Sequence, residues 1–293
     1  LLENENDTQI KINAGNIEVT GTIGGDAGTK FTTISFSGHK VDFKTANALH
    51  ADNPLLHFTA NTEVVTTGYN LDNTNITNTV GGSKFVVDAN QVITGDIGTL
   101  AQSFGELHVN AAAAANRVVS IDTAGFFAGV TGAKAEVTFD HGVGSSVQYL
   151  GVDGTNIASA GFVEDGTVKG EVHANQINVD GAKTATFEST VFKGDDWMKM
   201  HANDAQAAFA AKVVLDMPIV ANAAGDGIIN FNNGVDLKNN VGADGTRVAA
   251  VTIGGNSTIS ADLHANAITV GGHELTLTQD ATFNGVTGFN ATT

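Results

Sequence analysis

Cysteine is absent from the 293 residues. That excludes disulfides, thiol catalysis and cysteine-ligated zinc. It leaves the compartment open, because a long chain exported through an oxidising space also gains from having no thiol to mispair. Proline is nearly absent, at two residues. Basic side chains are scarce: 14 Lys and Arg stand against 31 Asp and Glu, for a net charge of −17. Phosphate binding needs a basic face, so nucleic acid is a poor partner, and an anionic membrane surface is disfavoured for the same reason. No apolar run reaches the roughly 18 residues of a membrane span, and no signal peptide opens the chain. The opening "LLENENDTQI" and the closing "FNGVTGFNATT" read as the ends of a piece cut from something longer.

What is present is glycine, 35 residues of it, and a hydrophobic fraction of 42%. With abundant Asn, Thr, Val, Ile and Ala, this composition suits short strands closed by tight turns. Alternation confirms the period. "QIKINAGNIEVTGTI" places Ile10, Ile12, Ile17 and Val19 inward; "FTTISFSGHKVDF" does so with Phe31, Ile34, Phe36, Val41 and Phe43. Each run lasts about four to six residues and ends at Gly, Asn or Asp, which is the strand signature.

Longer frames recur as well. Three segments align on Ile23-Gly24, Ile97-Gly98 and Val241-Gly242, as in a degenerate repeat of roughly 70 to 75 residues. A second frame sets a hydrophobic residue before His and an Asn after it. It occurs at His108 with Asn110, His173 with Asn175, His201 with Asn203, and His264 with Asn266, and loosely at His50. Self-similarity of this kind marks a solenoid, in which each coil packs only on its neighbours. The spacing predicts that His173 and His264 occupy equivalent corners of different coils. "NDAQAAFAAKVV" (203–214) breaks the pattern, and its Ala, Gln and Lys behind a capping Asn203 or Asp204 predict a helix. A helical insertion is therefore expected near 197–227, holding Trp197 and Met198, Met200 and Met217. No linker separates two domains, so 1–293 reads as one solenoid.

Chemistry is thin on this chain. Histidines at the i, i+2 or i, i+4 spacing of a metal pair do not occur, and His108, His173 and His264 read as register positions rather than ligands. Asp-Gly pairs at Asp153, Asp165, Asp180, Asp226 and Asp244 read as β-turns; tandem calcium nonapeptides and EF-hand loops are not formed. Phosphate-loop and nucleophile-elbow motifs are missing. Asp195 and Asp196 beside Trp197 form a possible interaction loop. They also sustain a second reading, a polysaccharide-cleaving enzyme, although adjacent acids on a strand point to opposite sides. No cofactor is expected.

The texture of "GDIGT…FGELHVNA", "VHANQINVDGAKTATFESTVFKG" and "LHANAITVGGHELTLTQDATFNGVTG" resembles the passenger regions of rickettsial outer-membrane surface antigens, which are type V autotransporters. The resemblance covers most of the chain outside Trp197 to about Gly227. It implies an all-β, right-handed parallel β-helix displayed on the bacterial cell surface, with a C-terminal barrel anchoring the parent protein in the outer membrane. Adhesion to a host-cell surface protein, or self-association into a surface layer, would be its work, and no catalytic residues come with it. Tandem β-sandwich domains, as in surface-layer or filament subunits, are the alternative architecture; the two Asn-Gly pairs are few for the hairpins such domains need.

Overall fold

The computed structural model describes residues 9–12, 15–21, 33–37, 40–44, 55–59, 63–66, 75–78, 83–87, 91–93, 97–98, 104–109, 117–121, 126–131, 135–139, 145–278 and 282–284. Their secondary structure is β throughout, and the strands stack in parallel as a β-solenoid. Contacts divide the chain into two compact units, Leu1–Val137 and Thr138–Thr293.

In the first unit, strands Gln9–Ile12, Thr33–Phe36, Leu55–Phe58 and Asn75–Asn78 form one parallel ladder. Strands Asn16–Val19, Lys40–Phe43, Glu63–Thr66, Lys84–Val87, Phe104–Val109 and Phe126–Thr131 form another. The alternation seen in the sequence decides which side is inward. Ile34, Phe36, Leu56 and Phe58 are buried, as are Val41, Val64, Phe85, Leu107 and Val130 in the second ladder. Phe36 stacks on Phe58 at 5.1 Å between ring centroids.

The second unit shows the coil most clearly, and it has three faces. The first carries the inward row Val147, Val168, Phe187, Phe209, Phe231, Ile253 and Val270, one residue per coil. The second carries Leu150, Val172, Phe192, Leu215, Leu237, Ile259 and Leu277. The third carries Ala160, Ile177, Met198, Ile219, Val241, Leu263 and Phe283. All but Leu277 and Phe283 are buried. Phenylalanine sits above phenylalanine: Phe139–Phe162, Phe187–Phe209 and Phe209–Phe231 stack at 5.1, 5.3 and 5.1 Å. Pairs of this kind add about 0.5–1.5 kcal/mol each beyond the area that they bury.

The helix expected over 203–214 does not form. Residues Gln206–Phe209 are a strand, with Ala207 and Phe209 inward and Gln206 and Ala208 half-exposed. Helix propensity of alanine amounts to a few tenths of a kcal/mol per residue. Pairing with Thr184–Phe187 on one side and Ile228–Phe231 on the other, with Phe209 sealed between two rings, outweighs it. The expected insertion over 197–227 is instead ordinary coil: Trp197–Met200, Val213–Asp216 and Ile219–Ala221 each pair in parallel within the second unit. Sandwich domains are set aside with it, because the pairings run in parallel from coil to coil rather than through hairpins.

Candidate functional site

Asp195 and Asp196 lie in the turn before strand Trp197–Met200, and they diverge. Asp196 Oδ2 accepts from Gln176 Nε2 at 2.9 Å. Asp195 lines a polar cleft of about 310 Å³ with Asp153, Asn156, His173, Lys193, Gly194 and Asp216. Three carboxylates thus share one groove, two of them from outside the acidic pair that the sequence offered. Asn156 Nδ2 reaches Asp195 Oδ2 at 3.4 Å and Asn175 Oδ1 at 2.8 Å. Lys193 Nζ stands 3.5 Å from Asp153 Oδ1, and Asn239 Nδ2 donates to Asp216 Oδ1 at 2.8 Å. Gly194 is required here. A Cβ on it would run into the Ala174 carbonyl and the Met217 methyl. Among the described residues, no three His, Asp or Glu side chains are placed to hold a metal ion.

Trp197 is half-buried on the outward side of the third face, with Lys199 Nζ 5.0 Å from its ring centroid. Met198, Met200 and Met217 go inward and are fully buried. The methionines therefore fill the coil interior. The tryptophan does not join them; it remains on the surface beside Gln176.

The histidine frame resolves into different jobs. His108 Nδ1 is 2.8 Å from Thr131 Oγ1, and that hydroxyl donates to Glu106 Oε1 at 2.6 Å. The hydroxyl has one proton, so it receives the proton of His108 Nδ1. Lys84 Nζ is 3.4 Å from the same carboxylate oxygen. Burial alone would raise Glu106, but the Thr131 hydrogen bond, Lys84 and His108 together hold its carboxyl below the usual range. His57 makes the same rung with Thr77 at 2.9 Å. Nothing in the sequence marks these threonines, which stand one coil away. Asn110 lies outside the described residues.

His173 is buried, with Nε2 3.1 Å from Glu171 Oε2, and Asn175 takes the Asn156 amide. His264 is buried and Asn266 is exposed. The two histidines do not share an edge. His173 pairs in register with Lys193, at the corner between the second and third faces, whereas His264 pairs with Asn284, at the corner between the third and first. The physical reason is arithmetic. Four coils carry Val172 in register to Ile259, 87 residues on, so a separation of 91 (264 − 173) overshoots by four residues and lands on the next face.

His201 opens a second groove, of about 300 Å³, with Ser159, Gly161, Val163, Asn178 and Asp180. Its Nε2 bonds to Asn178 Oδ1 at 3.0 Å and lies 3.9 Å from Asp180 Oδ1. A serine, a histidine and an aspartate meet here without forming a triad. Ser159 pairs with Gln176, and Gln176 with Trp197, so serine and histidine belong to coils two steps apart, roughly 10 Å.

Backbone amides at the corners are met by side-chain oxygens. Asp262 N donates to Asn240 Oδ1 at 3.0 Å, and Thr282 N to Asp262 Oδ1 at 2.7 Å. Four of the five Asp-Gly pairs carry their glycine, Gly154, Gly181, Gly227 or Gly245, at positive φ, which glycine adopts without cost, whereas Asp165-Gly166 leads straight into strand Gly166–Val168, where pairing with the neighbouring coils extends the glycine. Comparison of the chain with protein-family models, with curated proteins and with solved structures returned no match.

Proposed function

We propose that this chain is a display scaffold: a passenger segment on a bacterial cell surface, belonging to a parent protein held in the outer membrane by a C-terminal barrel. It presents an acidic solenoid surface for attachment to a host-cell surface protein or to copies of itself. The observation that supports the reading most directly is the regular outward surface that parallel stacking creates. Thr167, Thr186, Ala208, Asn230, Thr252 and Thr269 rise in one row along the first face of the second unit. Short side chains, all polar but Ala208, repeated at about 4.8 Å over an apolar interior suit presentation to a partner. A net charge of −17 keeps such a surface soluble through self-repulsion.

Binding tests the scaffold: more of the chain is expected on host cells, or on immobilised copies of itself, than of an equally acidic control protein, and no excess on either ends the proposal.

The cleft around Asp195 supports a second reading, a polysaccharide-cleaving enzyme, because it gathers Asp153, Asp195 and Asp216. Turnover of an acidic or neutral polysaccharide that Asp195→Ala abolishes would favour it. Turnover that survives the substitution removes it.

A further inference from the structure

We infer that residues 145–192 and 236–283 are two copies of one module, built into the solenoid a third of a turn out of phase. The copies align without a gap at an offset of 91 residues (242 − 151). "GVDGT" at 151–155 returns as "GADGT" at 242–246, and "VHANQINV" at 172–179 returns as "LHANAITV" at 263–270.

Structure repeats with sequence. Val152 and Thr155 exchange two backbone hydrogen bonds across a tight turn, and Ala243 and Thr246 do the same. The glycine that opens each turn has nearly the same strained backbone, φ +68° at Gly151 and +69° at Gly242. A Cβ on Gly151 would strike the His173 carbonyl, and one on Gly242 would strike the His264 carbonyl at the same separation. Register repeats too. Ile157 pairs with Ala174 and Phe162 with Val179; Val248 pairs with Ala265 and Ile253 with Val270. Leu150 N donates to Glu171 O, and Val241 N to Asp262 O.

The surroundings do not repeat. Strand Ile157–Phe162 belongs to the third face, and its counterpart Val248–Ile253 to the first. A module can move by one face because every face has the same pleat and the same coil-to-coil spacing. What fixes the module is local: the glycine against the histidine carbonyl, and the pairing of its two long strands.

The consequence concerns presentation, and it rests on the display reading. Each turn carries an aspartate at its tip, Asp153 with 81% and Asp244 with 78% of the side chain exposed. Lys193 Nζ stands 3.5 Å from Asp153, and Arg247 stands 3.4 Å from Asp244. Exposed pairs of this geometry give way readily. A partner that offers hydrogen-bond donors or positive charge to the Asp-Gly-Thr turn therefore finds two sites on one chain, facing different directions, and is bound twice.

Transplantation in the full chain tests this. Residues 150–179 are written over 241–270, which have the same length. The chimera is expected to keep a cooperative thermal transition within about 3 °C of the parent. A control that writes 157–186 over the same positions puts glycine and histidine out of register and is expected to lose the transition. Loss in the chimera, or survival of the control, overturns the module. In the folded chimera the two turns have one sequence, so a single-domain antibody raised against 150–156 is expected to bind at two per chain. A stoichiometry of one overturns the double presentation. Gly151→Ala and Gly242→Ala, made singly, are expected to lower the transition equally, and tolerance of either one also overturns the module. None of these readouts involves host cells or self-association, so a failure of the display reading is told apart from a failure of the module.

Discussion

Glu106 keeps its charge in a setting where burial opposes it. The Thr131 hydroxyl, Lys84 and His108 more than offset that opposition, and the carboxyl is held below its ordinary range. A carboxylate lowered in the folded state contributes stability that is fully present above the unfolded value of about 4.3 and is lost as pH falls through the lower folded value. Both Glu106 and Lys84 keep about a third of their side chains exposed, so solvent screens the contribution to about 0.5 kcal/mol. Glu106→Gln is expected to flatten the acid limb of the stability curve. Denaturant titrations at pH 7, 4 and 3 measure it; parallel losses in parent and variant would show that the cluster is electrostatically idle. The rung of His57 with Thr77 tests the hydrogen bond by itself: Thr77→Val is expected to cost about 1 kcal/mol at pH 7, read by the same titration.

At the scale of the strand, Gln206–Phe209 shows what decides structure on this chain. Phe209 is fully buried and touches Phe187, Phe192 and Phe231. Phe209→Ala is expected to cost about 3–5 kcal/mol, from lost transfer energy and the cavity left between two rings. Thermal or denaturant unfolding measures it, and a cost under about 1 kcal/mol would mean that the ring row carries little of the core. The same strand marks the limit of what the sequence makes legible. Alternation exposed the inward residues of both units, because period two is a local property. Five alanines in the stretch from Ala205 to Ala211 point to helix, since their preference for a strand comes from neighbours a coil away. The carboxylates of the cleft were equally hidden. Asp153 and Asp216 meet Asp195 only through coil length, and coil length varies too much for spacing to reveal it. The His-Ala-Asn frame was visible as a repeat, but its shift from one corner to the next was not, because a third of a turn leaves no trace in the residues themselves.

At the largest scale, the second unit is a single thread wound coil upon coil. Inward rows on all three faces are continuous through it, and strands bond to the coil before and the coil after. Those hydrogen bonds point along the direction of stacking, which has a mechanical meaning. A load applied along that direction at the end of the chain falls on one coil's bonds at a time and peels them, whereas bonds arranged in shear would have to break together. Each coil of about 22 residues frees at most about 75 Å of thread when it comes away. Force spectroscopy on the full chain should therefore record a low, stepped plateau with that increment, and one tall rupture releasing the whole unit would contradict it. A tether of this kind yields by lengthening before it lets go.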